Sequence, residues 1–211
     1  MAKVFMSNKA GRFQSVKNIF LILLATNIVA LGVALLLKAG MGTDPLTVLQ
    51  DGLHVKLHIT VGEAALLYNA SVLFMAFLLA REKLGLGSAI FSLSFGPLID
   101  MYFNTVALIP LHGIPCLILG LIIMCFGSSF VISLNFGMSG LDALLLTLQD
   151  DKGVRYAILR TISDALCTIA GWFMGGTVGW GTLLVILLSG FLIDNFRKIP
   201  FKKYISQESI L

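Results

Sequence analysis

The stretch Gly179-Trp-Gly-Thr-Leu-Leu-Val-Ile-Leu-Leu-Ser-Gly-Phe-Leu-Ile-Asp194 has an earlier counterpart in the same chain. Ninety-four residues upstream the frame reads Gly85-Leu-Gly-Ser-Ala-Ile-Phe-Ser-Leu-Ser-Phe-Gly-Pro-Leu-Ile-Asp100. Aligned without a gap, 7 of the 16 positions are identical: both leading glycines, a Leu, the inner Gly and the closing Leu-Ile-Asp. Unrelated apolar stretches would share roughly one or two, so the chain reads as an internal repeat. Ser88 and Thr182 stand just before each apolar run, where helix N-caps are expected.

Composition says what surrounds these runs. Of the 211 residues 57% are hydrophobic and only 12% charged, against about 25% charged in a soluble domain. Mean hydropathy is +0.94. Such a chain is an integral membrane protein. The net charge of +4 needs no nucleic acid as partner, because the basic residues sit where a membrane would place them. Cys116, Cys125 and Cys167 lie inside apolar stretches without CxxC spacing, so they read as small packing residues and not as a zinc or disulfide framework.

Six apolar runs follow one another: Ile19–Leu37, Val61–Ala80, Ser88 toward Ile109, Cys116–Ser133, Val154–Met174 and Thr182–Phe196. The first has about 19 residues, longer than a signal-peptide core and close to the ~20 that cross a bilayer. Six spans put both termini on one side. That side then holds 12 Lys and Arg: Lys3, Lys9, Arg12, Lys17, Arg81, Lys83, Lys152, Arg155, Arg197, Lys198, Lys202 and Lys203. The other holds two, Lys38 and Lys56, and Arg160 lies within a span. By the positive-inside rule both termini are cytoplasmic.

The repeat extends to two glycine breaks. Gly42-Thr-Asp44 answers Gly140-Leu-Asp142, the second break beginning at Gly137, and each leads through a short apolar stretch to Gln-Asp (Gln50-Asp51, Gln149-Asp150). Three spans per unit is an odd number, so the second unit enters from the opposite side. The expected fold is therefore all-α and polytopic: six transmembrane helices as an inverted 3+3 repeat, with a short broken or re-entrant helix in each half. The boundaries are a basic cytoplasmic segment 1–17, a first repeat 18–110, a second repeat 113–196 and a basic cytoplasmic tail 197–211.

The runs Gly42-Thr-Asp-Pro45, Arg160-Thr-Ile-Ser-Asp164 and Gly171-Trp-Phe-Met-Gly-Gly-Thr-Val-Gly-Trp-Gly-Thr182 resemble the YczE/YitT-type bacterial membrane proteins, the YczE branch in particular. The resemblance covers about residues 18–197. It implies a multi-pass plasma-membrane protein and little chemistry. In that pattern the second break reads Gly-x-Gly-Pro-Arg-Asp, whereas Gly140-Leu141-Asp142 lacks both Pro and Arg. Asp164 stands where a Glu is usual. If that Arg touches a ligand in relatives, the ligand differs here.

The candidate site residues are those a bilayer tolerates least. Arg160 and Asp164 are i,i+4 on one helix face, and Asp164 falls ~15 Å deep, near the bilayer middle. An unpaired charge there costs at least ~2.5–3.5 kcal/mol, which makes each a functional candidate; an internally neutralised pair serving packing alone accounts for them equally. Asp44-Pro45 reads as a helix start. If the stretches after Asp44 and Asp142 re-enter the membrane, their N–H groups could bind an anionic or polar solute; otherwise they are interfacial helices. Asp100 has no cationic neighbour in sequence and could handle a proton or cation, or end a helix. Asp194 has Arg197 and Lys198 nearby, which suits the interface. Gly96 and Gly190 are expected to let helices approach closely.

His54 and His58 have metal-ligand spacing if helical, but Gly52 and the Val-Lys-Leu-His-Ile pattern argue against a stable helix there. No nucleophile–base set, metal or cofactor signature is visible, and an enzyme is not expected. The expected function is a transporter or channel-like permease for a small polar or ionic solute, using Gly42, Asp44, Gly140, Asp142, Arg160, Asp164 and Asp100. The alternative is a non-transporting scaffold or regulatory subunit. The lipid bilayer and a small solute are the expected partners, with homo-oligomerisation left open.

Overall fold

A computed structural model describes residues 2–134, 136 and 139–199, and side chains within that set except those of residues 2–15, 156, 157 and 194. Gly137, Met138, Lys202 and Lys203 lie outside it. The described residues form eight α-helices: α1 (Ala2–Ala39), α2 (Pro45–Leu57), α3 (Val61–Leu79), α4 (Leu86–Val106), α5 (Ile114–Leu134), α6 (Gly140–Lys152), α7 (Tyr156–Phe173) and α8 (Trp180–Arg197). A 3-10 turn, Arg81–Lys83, links α3 to α4.

Five helical segments are long and apolar enough to cross a membrane: Val16–Ala39 of α1, α3, α4, α5 and α8. The protein is an all-α, multi-pass membrane protein. Helix α7 is as long as α8 but carries Arg160 and Asp164 and is not one of the five. It is two-faced instead. Ile158, Ile162, Leu166 and Ile169 are exposed, while Cys167 and Gly171 are buried and Arg160 and Asp164 partly so. Residues 2–17 of the basic N-terminal segment are continuous with α1.

Element boundaries recur along the chain. Helices α2 and α6 each have 13 residues and begin 95 residues apart, at Pro45 and Gly140. Helices α1 and α5 end 95 apart, at Ala39 and Leu134; α3 and α7 begin 95 apart, at Val61 and Tyr156; α4 and α8 begin 94 apart, at Leu86 and Trp180. Both short helices stop on a left-handed residue, His58 (φ 57°) and Gly153 (φ 67°). Each unit is thus long, short, long, long.

This register corrects two expectations. Asp44 corresponds to Ser139, not to Asp142: Asp44 caps α2 and Ser139 caps α6, with Thr47 and Asp142 each three residues on. Ser88 and Thr182 are not N-caps. Gly85 and Gly179 hold that position, and each donates its amide to the hydroxyl three residues later, at 3.3 Å to Ser88 Oγ and 3.4 Å to Thr182 Oγ1. The hydroxyls thereby satisfy an N–H that a glycine cap leaves open.

Helix α1 is the spine. Ile22, Ala25, Ala30, Val33, Ala34 and Leu36 are buried along it, packed against α4 and α5. The α1–α5 crossing brings backbones together: a Cβ on Gly32 would lie 2.4 Å from Met124 N, and one on Gly120 2.9 Å from Gly32 O. Small residues let helices meet this closely where lipid gives no hydrophobic drive. Around this seam the halves exchange partners, α2 packing on α7 and α6 on α3. Lys38, at the end of α1, donates to Val106 O at 2.5 Å and also to Ile109 O, closing the C-terminus of α4.

Candidate functional site

Two short helices begin at the same charged junction. Helix α2 starts because Pro45 supplies a preset φ at the first position and Asp44 caps it, accepting from Thr47 N at 3.3 Å and from Thr47 Oγ1. Helix α6 starts on Ser139, whose Oγ accepts from Asp142 N at 3.2 Å and donates to Asp142 Oδ2 at 2.8 Å. Thirteen residues rise only ~20 Å, too short for a ~30 Å hydrocarbon core. Their far ends part company. Asp51 of α2 accepts from Thr177 N between α7 and α8 at 2.7 Å, while Asp150 of α6 pairs with Lys83 between α3 and α4.

Arg160 ties α7 to α6 within the second unit. Its Nε donates to Asp164 Oδ1 at 3.1 Å and Oδ2 at 3.3 Å, and its Nη1 donates to Asp142 Oδ1 at 3.0 Å. The arrangement is a guanidinium shared by carboxylates of α6 and α7, not a pair closed within one helix. Both carboxylates are mostly buried, 15% and 13% exposed, and the guanidinium side chain is 32% exposed. Asp44 completes the group, within electrostatic range of Arg160 and Asp164. Three carboxyl groups thus gather around one guanidinium.

The sequence reading did not single out Tyr68. It stands on α3 beside Cys167 and within electrostatic range of Arg160 and Asp142. Adjacent polar Tyr68 and Asn69 inside an apolar span were the available signal. Among the described residues, three buried polar atoms from the surrounding segments lack a hydrogen-bond partner: Thr43 Oγ1, next to Asp44; Gln50 Oε1, on the Thr47 side of α2; and Asn69 Nδ2. Buried polar atoms without a partner are the expected neighbours of water or a solute.

The glycines position the break around this junction. Gly42 (φ 96°) has no room for a side chain: a Cβ would lie 2.4 Å from Thr182 Oγ1. Gly140 starts α6 against Leu73 of α3, where a Cβ would meet its Cα at 3.0 Å. Asp100 is elsewhere. It accepts from Gly62 N at 2.8 Å and Thr60 Oγ1 at 2.6 Å, capping the start of α3. The structure therefore brings Asp44, Asp142, Arg160 and Asp164 together and leaves Asp100 apart.

Each short helix has one first-turn amide taken by its own cap, Thr47 N by Asp44 and Asp142 N by Ser139. One further expectation changes. Helix α2 continues through Gly52 to Leu57, so His54 is helical, but His58 turns left-handed and its ring leaves the i,i+4 register. Among the described residues no group of three or more His, Cys, Asp or Glu could hold a metal ion.

Residues 16–198 match the model of a family described as Family of unknown function (DUF6198), and the chain belongs to that family. It is 29% identical over 185 residues to Uncharacterized protein YyaS of Bacillus subtilis (strain 168), covering 85% of this chain and 92% of the relative. Uncharacterized membrane protein YczE of the same organism is 26% identical over 170 residues, 79% of each chain. A Haemophilus influenzae protein is 25% identical over 187 residues, 87% of this chain and 84% of the other. No solved structure matches.

Proposed function

We propose that this protein is a plasma-membrane permease, transporter or channel-like, for a small polar or ionic solute, and that it is not an enzyme. The observation that carries the reading is the Asp44, Asp142, Arg160 and Asp164 junction, where two short helices from different halves begin within electrostatic range of one guanidinium. In this reading α7 is the sixth span, its Arg160–Asp164 face turned inward and its Ile158–Ile169 face to lipid. The two halves are then inverted repeats, with both termini cytoplasmic. The recurrence of boundaries at 94–95 residues and the twelve-to-two Lys and Arg asymmetry support it. So do the far ends of α2 and α6, which reach connections expected on opposite faces.

The packed α1–α5 seam has no room for passage, so the pathway runs beside it, between the tips of α2 and α6 and the facing sides of α3 and α7. Three carboxyl groups around one guanidinium favour a cationic solute over an anion. Within the family, the Gly171–Thr182 run is what supports a YczE-type grouping.

The test is uptake into liposomes containing purified protein, screened with labelled monovalent inorganic and organic cations, anions and neutral polar solutes. Saturable uptake of one cation class supports the reading. Absence of uptake in every class, with a stoichiometric protein partner co-purifying, favours the scaffold alternative.

A further inference from the structure

The two units are alike in sequence and boundaries, yet one is shut where the other is open. In the first, α3 and α4 touch backbone to backbone. A Cβ on Gly62 would lie 2.3 Å from Gly96 O, and one on Gly96 2.2 Å from Gly62 O. One turn further along α4, Asp100 grips the first turn of α3 through Gly62 N and Thr60 Oγ1. The 94-residue offset puts Gly190 at the place of Gly96, and Asp194, whose side chain is outside the described set, at that of Asp100. There the geometry is different. Among the described residues a Cβ on Gly190 would meet nothing within 4 Å, and α7 and α8 scarcely meet. The α7 cap, Arg155, makes no side-chain capping bond. Leu187 and Phe191 of α8 are 74% and 68% exposed.

A sequence repeated in register carries the means for the same contact twice. We infer that the α3–α4 and α7–α8 closures are alternative states of one device. Asp100 latches the first shut while the second stands open, and release of Asp100 accompanies closure of α8 onto α7 through Gly190. The inference rests on the permease reading for its purpose, since a site reached first from one face and then from the other is what two such gates provide. Packed interfaces of this kind hold discrete arrangements and do not deform continuously. Asp100 is thus a positioning residue, acting on access to the Arg160 junction and not on the solute.

Spin labels on a genetically encoded amino acid, at positions equivalent in the two units, read both gates with the native cysteines in place. The pairs are Leu67 with Met101 and Ile162 with Asn195. Full-length protein in lipid nanodiscs is expected to show a major population with the first pair near and the second far. A minor population reverses them, with changes of roughly 5 Å. Asp100→Asn enlarges the reversed population, and Gly190→Leu, which enters open space here, removes it. Single distributions in the wild type, unmoved by Asp100→Asn, Asp100→Ala or Gly190→Leu in monodisperse protein, would overturn the inference and leave a fixed asymmetry. Uptake by a protein with such fixed gates would sink the inference but keep the permease; exchanging gates with no uptake of any solute class would do the reverse.

Discussion

The amide of Gly181 donates to the carbonyl of Met41 at 2.7 Å, tying the first turn of α8 to the glycine break of the other unit. Gly87 does the same to Phe136 O at 3.2 Å, so α4 holds the second break as α8 holds the first. This explains why the second glycine of each Gly-x-Gly-[Ser/Thr] run is needed. A Cβ on Gly181 would lie 2.8 Å from Gly42 O, and one on Gly87 2.8 Å from Phe136 O. Gly181→Ala and Gly87→Ala are each expected to lower stability by about 1–3 kcal/mol. Gly190→Ala is expected to stay within about 0.5 kcal/mol of wild type. Thermal unfolding in one detergent, followed by circular dichroism, compares the three.

Arg160 bonded to two carboxylates predicts an asymmetric mutant series. Arg160→Leu strands Asp142 and Asp164 together and is expected to destabilise by about 3 kcal/mol or more. Adding Asp142→Asn and Asp164→Asn to it should recover much of the loss, because the two carboxylates bonded to the guanidinium are then neutral and only Asp44 is left without it. A triple variant no more stable than the single one means that the three groups do not act as a unit.

His58 ends α2 in the left-handed region, where a residue with a Cβ is strained and glycine is not. Its counterpart in the second unit is Gly153. His58→Gly is expected to stabilise by a few tenths to about 1 kcal/mol, read as a higher unfolding midpoint. The change also tests the register, since the offset of 95 residues predicts glycine as the better choice at this position.

The outer ends of the short helices predict sidedness. Thr177, whose amide binds Asp51, and Glu82, beside the Lys83–Asp150 pair, are both exposed. In intact cells, a membrane-impermeant thiol reagent should label Thr177→Cys, and Glu82→Cys only after permeabilisation. Labelling of both from one compartment would contradict opposite orientation of the units.

How much of this was legible beforehand follows from the range of each interaction. The duplicated Gly-x-Gly run, the apolar lengths and the Arg160–Asp164 spacing are local, and sequence carries them well. The match of Asp44 to Asp142 failed because Gly-x-Asp looks alike whether Asp is the cap or the third residue inside. Only the ends of the helices decide that. Exchange of partners between units, with α2 on α7 and α6 on α3, depends on tertiary packing, as does the reach of Arg160 to Asp142. Gly190 shows the limit from the other side: it repeats Gly96 in sequence but not in contact.

The most direct measurement of the central claim is uptake of the cation class selected by the liposome screen, compared among wild type, Asp44→Asn, Asp164→Asn and Arg160→Leu. Asn at position 44 retains a capping oxygen, so stability can be held near wild type while charge is removed. The account predicts at least a tenfold loss of uptake in Asp44→Asn and Asp164→Asn at equal protein and equal folded fraction, about 1.4 kcal/mol. Unchanged uptake in all three variants would contradict it, because the solute would then cross without meeting the junction.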